Sequence, residues 1–262
     1  MALQDADDRH SLMAEHVVRD PVLITTAIKP PADLPFLKMS NERERLIATK
    51  CAIFYWVAQG AKKIVVVDGT DRPALDERDI ALIESSGTQI ESLAFAQDDG
   101  EIRDYGKAFG EGRIIRFALD HSRILRQHDF FYKCTGKCFC RNFPEISGII
   151  ERNPINAMFW RLFDRNFHGD DLSLVDTRFF YTSTEIARQI ILPAYEESKN
   201  VSIERVLAVI LNQTFARTYV QKALITGFAG GVGGQYDEFN LGYLDQQFPA
   251  WVLGAAARPT VA

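Results

Sequence analysis

Residues 21–27 read PVLITTA and residues 63–71 read KIVVVDGTD, and these two stretches decide the fold. Each is a short apolar run rich in β-branched residues and bounded by turn formers, the pattern of a buried strand. The first runs into Lys29-Pro30-Pro31, and the second stops abruptly at Asp68-Gly69-Thr70-Asp71. Between them, Ser40 is placed as the N-cap of a helix reaching about Gly60, with Leu46, Ile47, Cys51, Phe54 and Val57 as its apolar stripe. A second helix over about 76–85 leads to a strand over 89–95. Strand–helix–strand–helix–strand predicts an α/β fold with a mostly parallel, Rossmann-like central sheet flanked by helices. Ligands of such sheets bind beyond the carboxyl ends of the strands, so the turns at 25–29 and 68–71 are where chemistry is expected.

Further along, YGKAFGE at 105–111 reads as a glycine-punctuated loop opening a helix to about Gln127. DFFYK at 129–133 is a strand that runs into Cys134-Thr135-Gly136-Lys137 and then Cys138-Phe139-Cys140. LSLVDTRFFY at 172–181 reads as another strand, 184–199 as a helix despite Pro193, and Ser202 as the cap of a helix beginning Ile203-Glu204-Arg205. The five glycines between 227 and 234 predict a loop, suited either to closing over phosphates or to hinging freely.

The chain has 262 residues, 47% hydrophobic and 25% charged, enough for a large core. Residues 1–20 are read as an N-terminal extension and 21–262 as one domain. A net charge of −5 provides no overall field for nucleic acid or anionic lipid. No apolar run reaches the roughly 18–20 residues that span a bilayer, and residues 1–20 lack a signal peptide's apolar centre. A cytoplasmic location, with at most peripheral contact at the inner face of the membrane, is expected. Cys51, Cys134, Cys138 and Cys140 do not follow the paired C-x2-C spacing of structural zinc sites, so reduced thiols are expected.

Several residues carry chemistry. Asp68 closes an apolar strand, where an acid either accepts hydrogen bonds from a ribose or base, or is a turn acid capping the next helix. Lys107, between two glycines at a helix start, suits a phosphate through its charge and the helix dipole. Lys133, Thr135, Gly136 and Lys137 put two cations, a hydroxyl and a glycine directly after a buried strand, which suits an anionic ligand; a solvated turn is the alternative. Asp176 and Arg178 either serve a site or pair with each other. Glu204 either serves a site or complements its helix dipole.

The series TTAIKP, SNERERL, IVVVDGT, YGKAFGE, FFYKCTGKCFCRNF, VDTRFF and SIERV, over roughly 21–234, resembles bacterial glycosyltransferases of lipopolysaccharide and capsular polysaccharide biosynthesis. The resemblance implies a GT-A-like fold and a nucleotide-sugar donor. Where such enzymes carry an Asp-x-Asp metal motif, this chain has Thr135-Gly136-Lys137. No cofactor is therefore expected: a lysine can neutralise phosphate charge without a metal, although Mg or Mn would be the usual ion. By the same resemblance, Thr25, Thr26 and Asp68 meet the nucleotide, and Lys107, Lys133 and Lys137 meet the diphosphate. Glu204 is the candidate general base, with Asp176 as its competitor. Arg178 lies on the acceptor side, where a glycan or glycolipid would approach. The rivals are a nucleotidyltransferase and a noncatalytic nucleotide-sugar-binding protein.

Overall fold

The computed structural model describes residues 19–31, 33–34, 37, 39–153, 156–161, 175–199, 201–214, 223–228 and 235–236. Its central sheet has six strands: β1 (Val22–Thr26), β2 (Lys63–Asp68), β3 (Gln89–Ala94), β4 (Phe130–Thr135), β6 (Ala157–Arg161) and β7 (Val175–Ser183). They lie in the order β3-β2-β1-β4-β7-β6. β1 pairs parallel with β2 and with β4, and β2 parallel with β3, whereas β7 runs against both β4 and β6. The mostly parallel α/β class expected from the sequence is the one observed. A second, three-stranded sheet joins β5 (Cys138–Cys140), β8 (Ile225–Phe228) and β9 (Gln235–Tyr236).

The helices are α1 (Glu42–Ala58), α2 (Glu77–Ser85), α3 (Asp99–His121), α4 (Phe143–Arg152) and α6 (Ile203–Thr214). The intervening helix α5 runs through Thr184–Ile186, a π-helical turn Ala187–Ile191 and Leu192–Glu197, which accommodates Pro193. Successive strand side chains point to opposite faces. At the end of β1, Thr25 meets Glu111 of α3 while Thr26 meets Thr49 of α1. The two helices therefore cover opposite faces of the sheet. Trp56 of α1, fully buried, packs edge-on to Phe143 with its indole N–H donating to the Cys138 carbonyl. Truncating such a ring to alanine costs about 3–5 kcal/mol.

Four local readings are corrected, and one helix is added. The cap of α1 is Asn41 rather than Ser40, because the Asn41 carboxamide accepts from the Glu44 N–H. The stretch 105–111 is not a loop: helix starts earlier, on the Asp98 cap, and runs through it with one break at Gly106 (φ 90°, ψ 175°). That helix ends at His121, with a short 3-10 turn at Leu125–Gln127. The added helix is α4, after Cys140, whose apolar residues Phe143, Ile146 and Ile150 recur at helical spacing on its buried side. Gly227 belongs to strand β8, while 229–234 of the glycine-rich stretch lie outside the described residues, as do 172–174 and 1–18.

Candidate functional site

The carboxyl ends of β1, β2 and β4 meet where the sheet order turns back on itself, with β2 on one side of β1 and β4 on the other. A cleft of about 370 Å³ opens there. Its floor is the end of β1 and the turn after β4, and α1, α3 and the start of α6 contribute its walls. One end is apolar, formed by Pro30, Pro31, Leu34, Leu37, Ile102 and Ala108. The other is polar, formed by Glu111, Thr135, Thr177, Ser202 and Glu204. Three cations, Arg45, Lys107 and Lys137, also line the cleft, as does the carboxylate of Asp99.

Each cation is fixed by its local structure. Arg45, a charged residue on the buried side of α1, is 5% exposed; its guanidinium donates to the carbonyls of Ala27 (2.7 Å) and Met39 (2.8 Å). Burial pulls its pKa down, with Asp68 opposing. Lys107 directly follows the break at Gly106 and so begins the second helical segment of α3; burial and the charge of Arg45 lower it. Lys137 sits in the two-residue connection between β4 and β5 with φ at +70°, a conformation unusual for a residue with a side chain. Burial pushes its ammonium down to about 8, and Arg45 pushes the same way. Among the described residues, neither Lys107 nor Lys137 has a carboxylate or other hydrogen-bond partner for its ammonium. Cations in a partly dehydrated cleft that pair directly with none of its acids, Asp99, Glu111 and Glu204, favour an anion beside them.

The Lys137 turn is held from two sides. The Gly136 N–H donates to the Thr25 carbonyl at 2.6 Å, and the Phe228 N–H donates to the Lys137 carbonyl at 3.0 Å. A Cβ on Gly136 would stand 2.8 Å from that Thr25 oxygen, and one on Gly227 (φ 127°) 2.0 Å from the Lys137 oxygen. Both glycines permit an approach that no other residue allows.

The residues singled out in the sequence divide into two groups. Thr25, Thr26, Lys107, Thr135, Lys137 and Glu204 line the cleft. Gly136 supports it from behind through the contact with β1. Asp68 does not line it. Both of its carboxylate oxygens are turned inward, Oδ2 to the Ile28 N–H (2.8 Å) and Oδ1 to the Thr70 N–H (2.7 Å), which fastens the loop after β1 to the turn after β2. Burial raises its pKa against those hydrogen bonds. It is a turn acid, but the next helix is capped by Asp76 and not by Asp68.

Lys133 is enclosed as well. Its ammonium is fully buried and donates to Glu111 (2.7 Å), Thr135 Oγ1 (2.9 Å) and the Thr177 carbonyl (2.7 Å), using all three N–H bonds inside the protein. A donor phosphate has no access to it. Asp176 and Arg178 pair with each other through Nε–Oδ1 at 2.9 Å and Nη2–Oδ2 at 2.6 Å, away from the cleft. Strand alternation explains this outcome: on β7 it is Thr177, between them, that faces the site. Thr177 Oγ1 donates to Glu204 Oε1 at 3.2 Å, and Ser202 Oγ to Glu204 Oε2 at 2.6 Å.

Sequence reasoning missed Arg45, Glu111, Thr177 and Tyr195. Glu111 Oε1 accepts from Thr25, Lys133 and Thr135, and Oε2 from the buried Tyr195 hydroxyl at 3.2 Å. Burial favours the neutral acid, but Lys133 and the hydroxyls of Thr25 and Thr135 outweigh it and hold Glu111 below the usual carboxylate range. The available signal was modest: Arg45 is one charge within SNERERL, and Glu111 interrupts a run of small and apolar residues.

The four cysteines are free thiols buried in the core; burial raises Cys51 and Cys138 to about 11 and Cys140 to about 12. Among the described residues no three His, Cys, Asp or Glu side chains are grouped to hold a metal. None of the described helices is long and apolar enough to cross a membrane.

The chain matches no protein-family model and no curated protein sequence. The resemblance to surface-polysaccharide glycosyltransferases therefore has no family match behind it. Two solved structures align over most of its length. One is described as a glucose-1-phosphate thymidylyltransferase from Bacillus anthracis with sucrose bound: 9% identity, 79% of this chain, 89% of that chain and a TM-score of 0.46. The other is 4-diphosphocytidyl-2C-methyl-D-erythritol synthase from Anaerococcus prevotii: 12% identity, 74% of this chain, 83% of that chain and a TM-score of 0.37. Similarities of this size transfer neither an activity nor a residue role.

Proposed function

We propose that the chain is a transferase whose substrate carries a nucleotide. The base lies at the apolar end of the cleft, the phosphates on Arg45, Lys107 and Lys137, and the sugar toward Glu111 and Glu204. The observation that carries this reading is the three-cation cluster, in which Lys107 and Lys137 have no acidic partner among the described residues.

In the first form, the reaction is glycosyl transfer in surface-polysaccharide assembly. A glycan or glycolipid hydroxyl attacks the anomeric carbon, the bond from that carbon to the phosphate oxygen breaks, and a nucleoside diphosphate leaves. Glu204, hydrogen-bonded in the polar end, takes the hydroxyl proton. The cluster stabilises the departing diphosphate in place of a metal. This form places the chain in the cytoplasm, at the inner face of the membrane.

A second form is nucleotidyl transfer, in which a sugar phosphate oxygen attacks the α-phosphorus of a nucleoside triphosphate and pyrophosphate leaves. Three cations favour it, since they suit the larger charge of a triphosphate better than a diphosphate alone requires. Thermal shift against nucleoside di- and triphosphates and nucleotide sugars identifies the ligand, because one that binds only the native state raises its stability. The products then separate the two: nucleoside diphosphate for glycosyl transfer, pyrophosphate for nucleotidyl transfer. Binding without turnover of either kind would leave a noncatalytic nucleotide-sugar-binding protein. No binding by any nucleotide overturns the proposal.

A further inference from the structure

Glu111 has features that packing alone does not require. It is a carboxylate from the middle of α3 that reaches the ends of β1 and β4 and still lines the cleft, with 19% of its side chain exposed. Its two oxygens are used unequally. Oε1 accepts from Thr25 Oγ1 (2.9 Å), Lys133 Nζ (2.7 Å) and Thr135 Oγ1 (2.9 Å). Oε2 accepts from Tyr195 alone among the described residues, at 3.2 Å, and a carboxylate oxygen has room for another donor. The buried Lys133 keeps the group charged, and contacts from three other elements keep it in place.

Its position relative to the phosphate cluster follows from the chain. Thr135, which donates to Glu111, is two residues before Lys137. Lys133, which pairs with Glu111, also bonds the carbonyl of Thr177, whose hydroxyl bonds Glu204. Glu111 is therefore linked by hydrogen bonds both to the strand end that leads into the phosphate turn and, through Lys133 and Thr177, to Glu204.

We propose that Glu111 Oε2 accepts a hydrogen bond from a hydroxyl of the hexose next to the phosphates, making Glu111 the residue that distinguishes a sugar-bearing ligand from the bare nucleotide. This rests on the nucleotide-linked substrate proposed above. A fixed carboxylate binds a hydroxyl more strongly than a neutral acceptor does, and Lys133 spares the ligand the task of neutralising it.

The test is calorimetric binding of UDP, GDP and dTDP, of their glucose, galactose and mannose conjugates, and of glucose 1-phosphate, to the wild type, Glu111→Gln and Glu111→Asp. Wild type should bind a conjugate more tightly than its diphosphate. Glu111→Gln should keep the diphosphate affinity within about twofold and weaken the conjugate about tenfold or more. Because Glu111→Gln leaves Lys133 without its counter-charge, thermal unfolding must show that it folds. Glu111→Asp retains the charge, draws the carboxylate back by one methylene, and should show the same sugar-selective loss. Equal losses for diphosphate and conjugate would make Glu111 purely structural and overturn the assignment, as would no loss for either. A wild type that binds glucose 1-phosphate but no nucleotide overturns the nucleotide reading, yet supports the role of Glu111 if the variants lose that binding. A wild type that binds none of these ligands overturns both.

Discussion

Arg45 and Lys137, two cations from α1 and from the β4–β5 turn, share one cleft, where burial first and the charge of Arg45 second push the Lys137 ammonium down to about 8 from its ordinary 10.5. The arrangement works against the free protein and in favour of an anion. Lys137→Ala should therefore weaken binding of the nucleotide ligand. A charge-assisted phosphate contact is worth about 1.5–3 kcal/mol, or roughly 10- to 150-fold in affinity. The affinity of the wild type should fall as the pH rises through about 8, where the free ammonium loses its proton, while Lys137→Arg should bind with little dependence over the same range. An unchanged dissociation constant for Lys137→Ala would reduce the cluster to a buried turn.

The same depression predicts the opposite effect on stability. A group whose folded pKa lies below its unfolded value binds fewer protons in the native state, so stability rises with pH between about 8 and 10.5 and the full penalty applies below 8. Lys137→Met should thus raise stability at pH 7 by about 1–3 kcal/mol while weakening ligand binding as Lys137→Ala does. Urea titrations at pH 7 and pH 10 check this. The gain should shrink at the higher pH, and an equal gain at both would assign it to packing instead.

Glu204→Gln should lower the catalytic constant about 10²–10⁴-fold with the donor affinity preserved, if Glu204 takes the acceptor proton. Asp176→Asn should act through stability, since its partner Arg178 would lose a two-point ion pair outside the cleft. Parallel steady-state kinetics on the two variants decide the matter. A dead Asp176→Asn that unfolds at the wild-type temperature would reverse the assignment.

Turnover by glycosyl transfer should survive excess EDTA, because Thr135-Gly136-Lys137 stands where the glycosyltransferases it resembles carry a metal-binding acid pair. Complete loss with EDTA, restored by Mn²⁺, would overturn metal independence.

The parallel core was legible because burial on both faces leaves β1 and β2 with short unbroken apolar runs, VLI and IVVV, that stand out in the sequence. The cleft was legible only in part. Lys107, Thr135 and Lys137 could be placed because each follows a strand end or a helix start. Lys133 could not be separated from Lys137 on composition, since only the pairing of β4 with β7 shows that one lysine lies within the central sheet, under α3, and the other in the turn. Thr177 was hidden for a similar reason: the charges of Asp176 and Arg178 drew attention to the wrong face of β7. Glu111 and Tyr195 meet across 84 residues, and nothing local to either marks the contact.

The turn carrying Lys137 is fastened to β1 through Gly136 and to β8 beside Gly227. The conformational entropy of ordering it is consequently spent during folding, before any ligand arrives. Association should then resemble docking to a rigid receptor, with little reorganisation heat at the phosphate end and with residence time governed by the contacts themselves. Loosening either fastening, by Gly136→Ala or Gly227→Ala, would move that ordering step into the binding event and lower affinity without removing a single charged group.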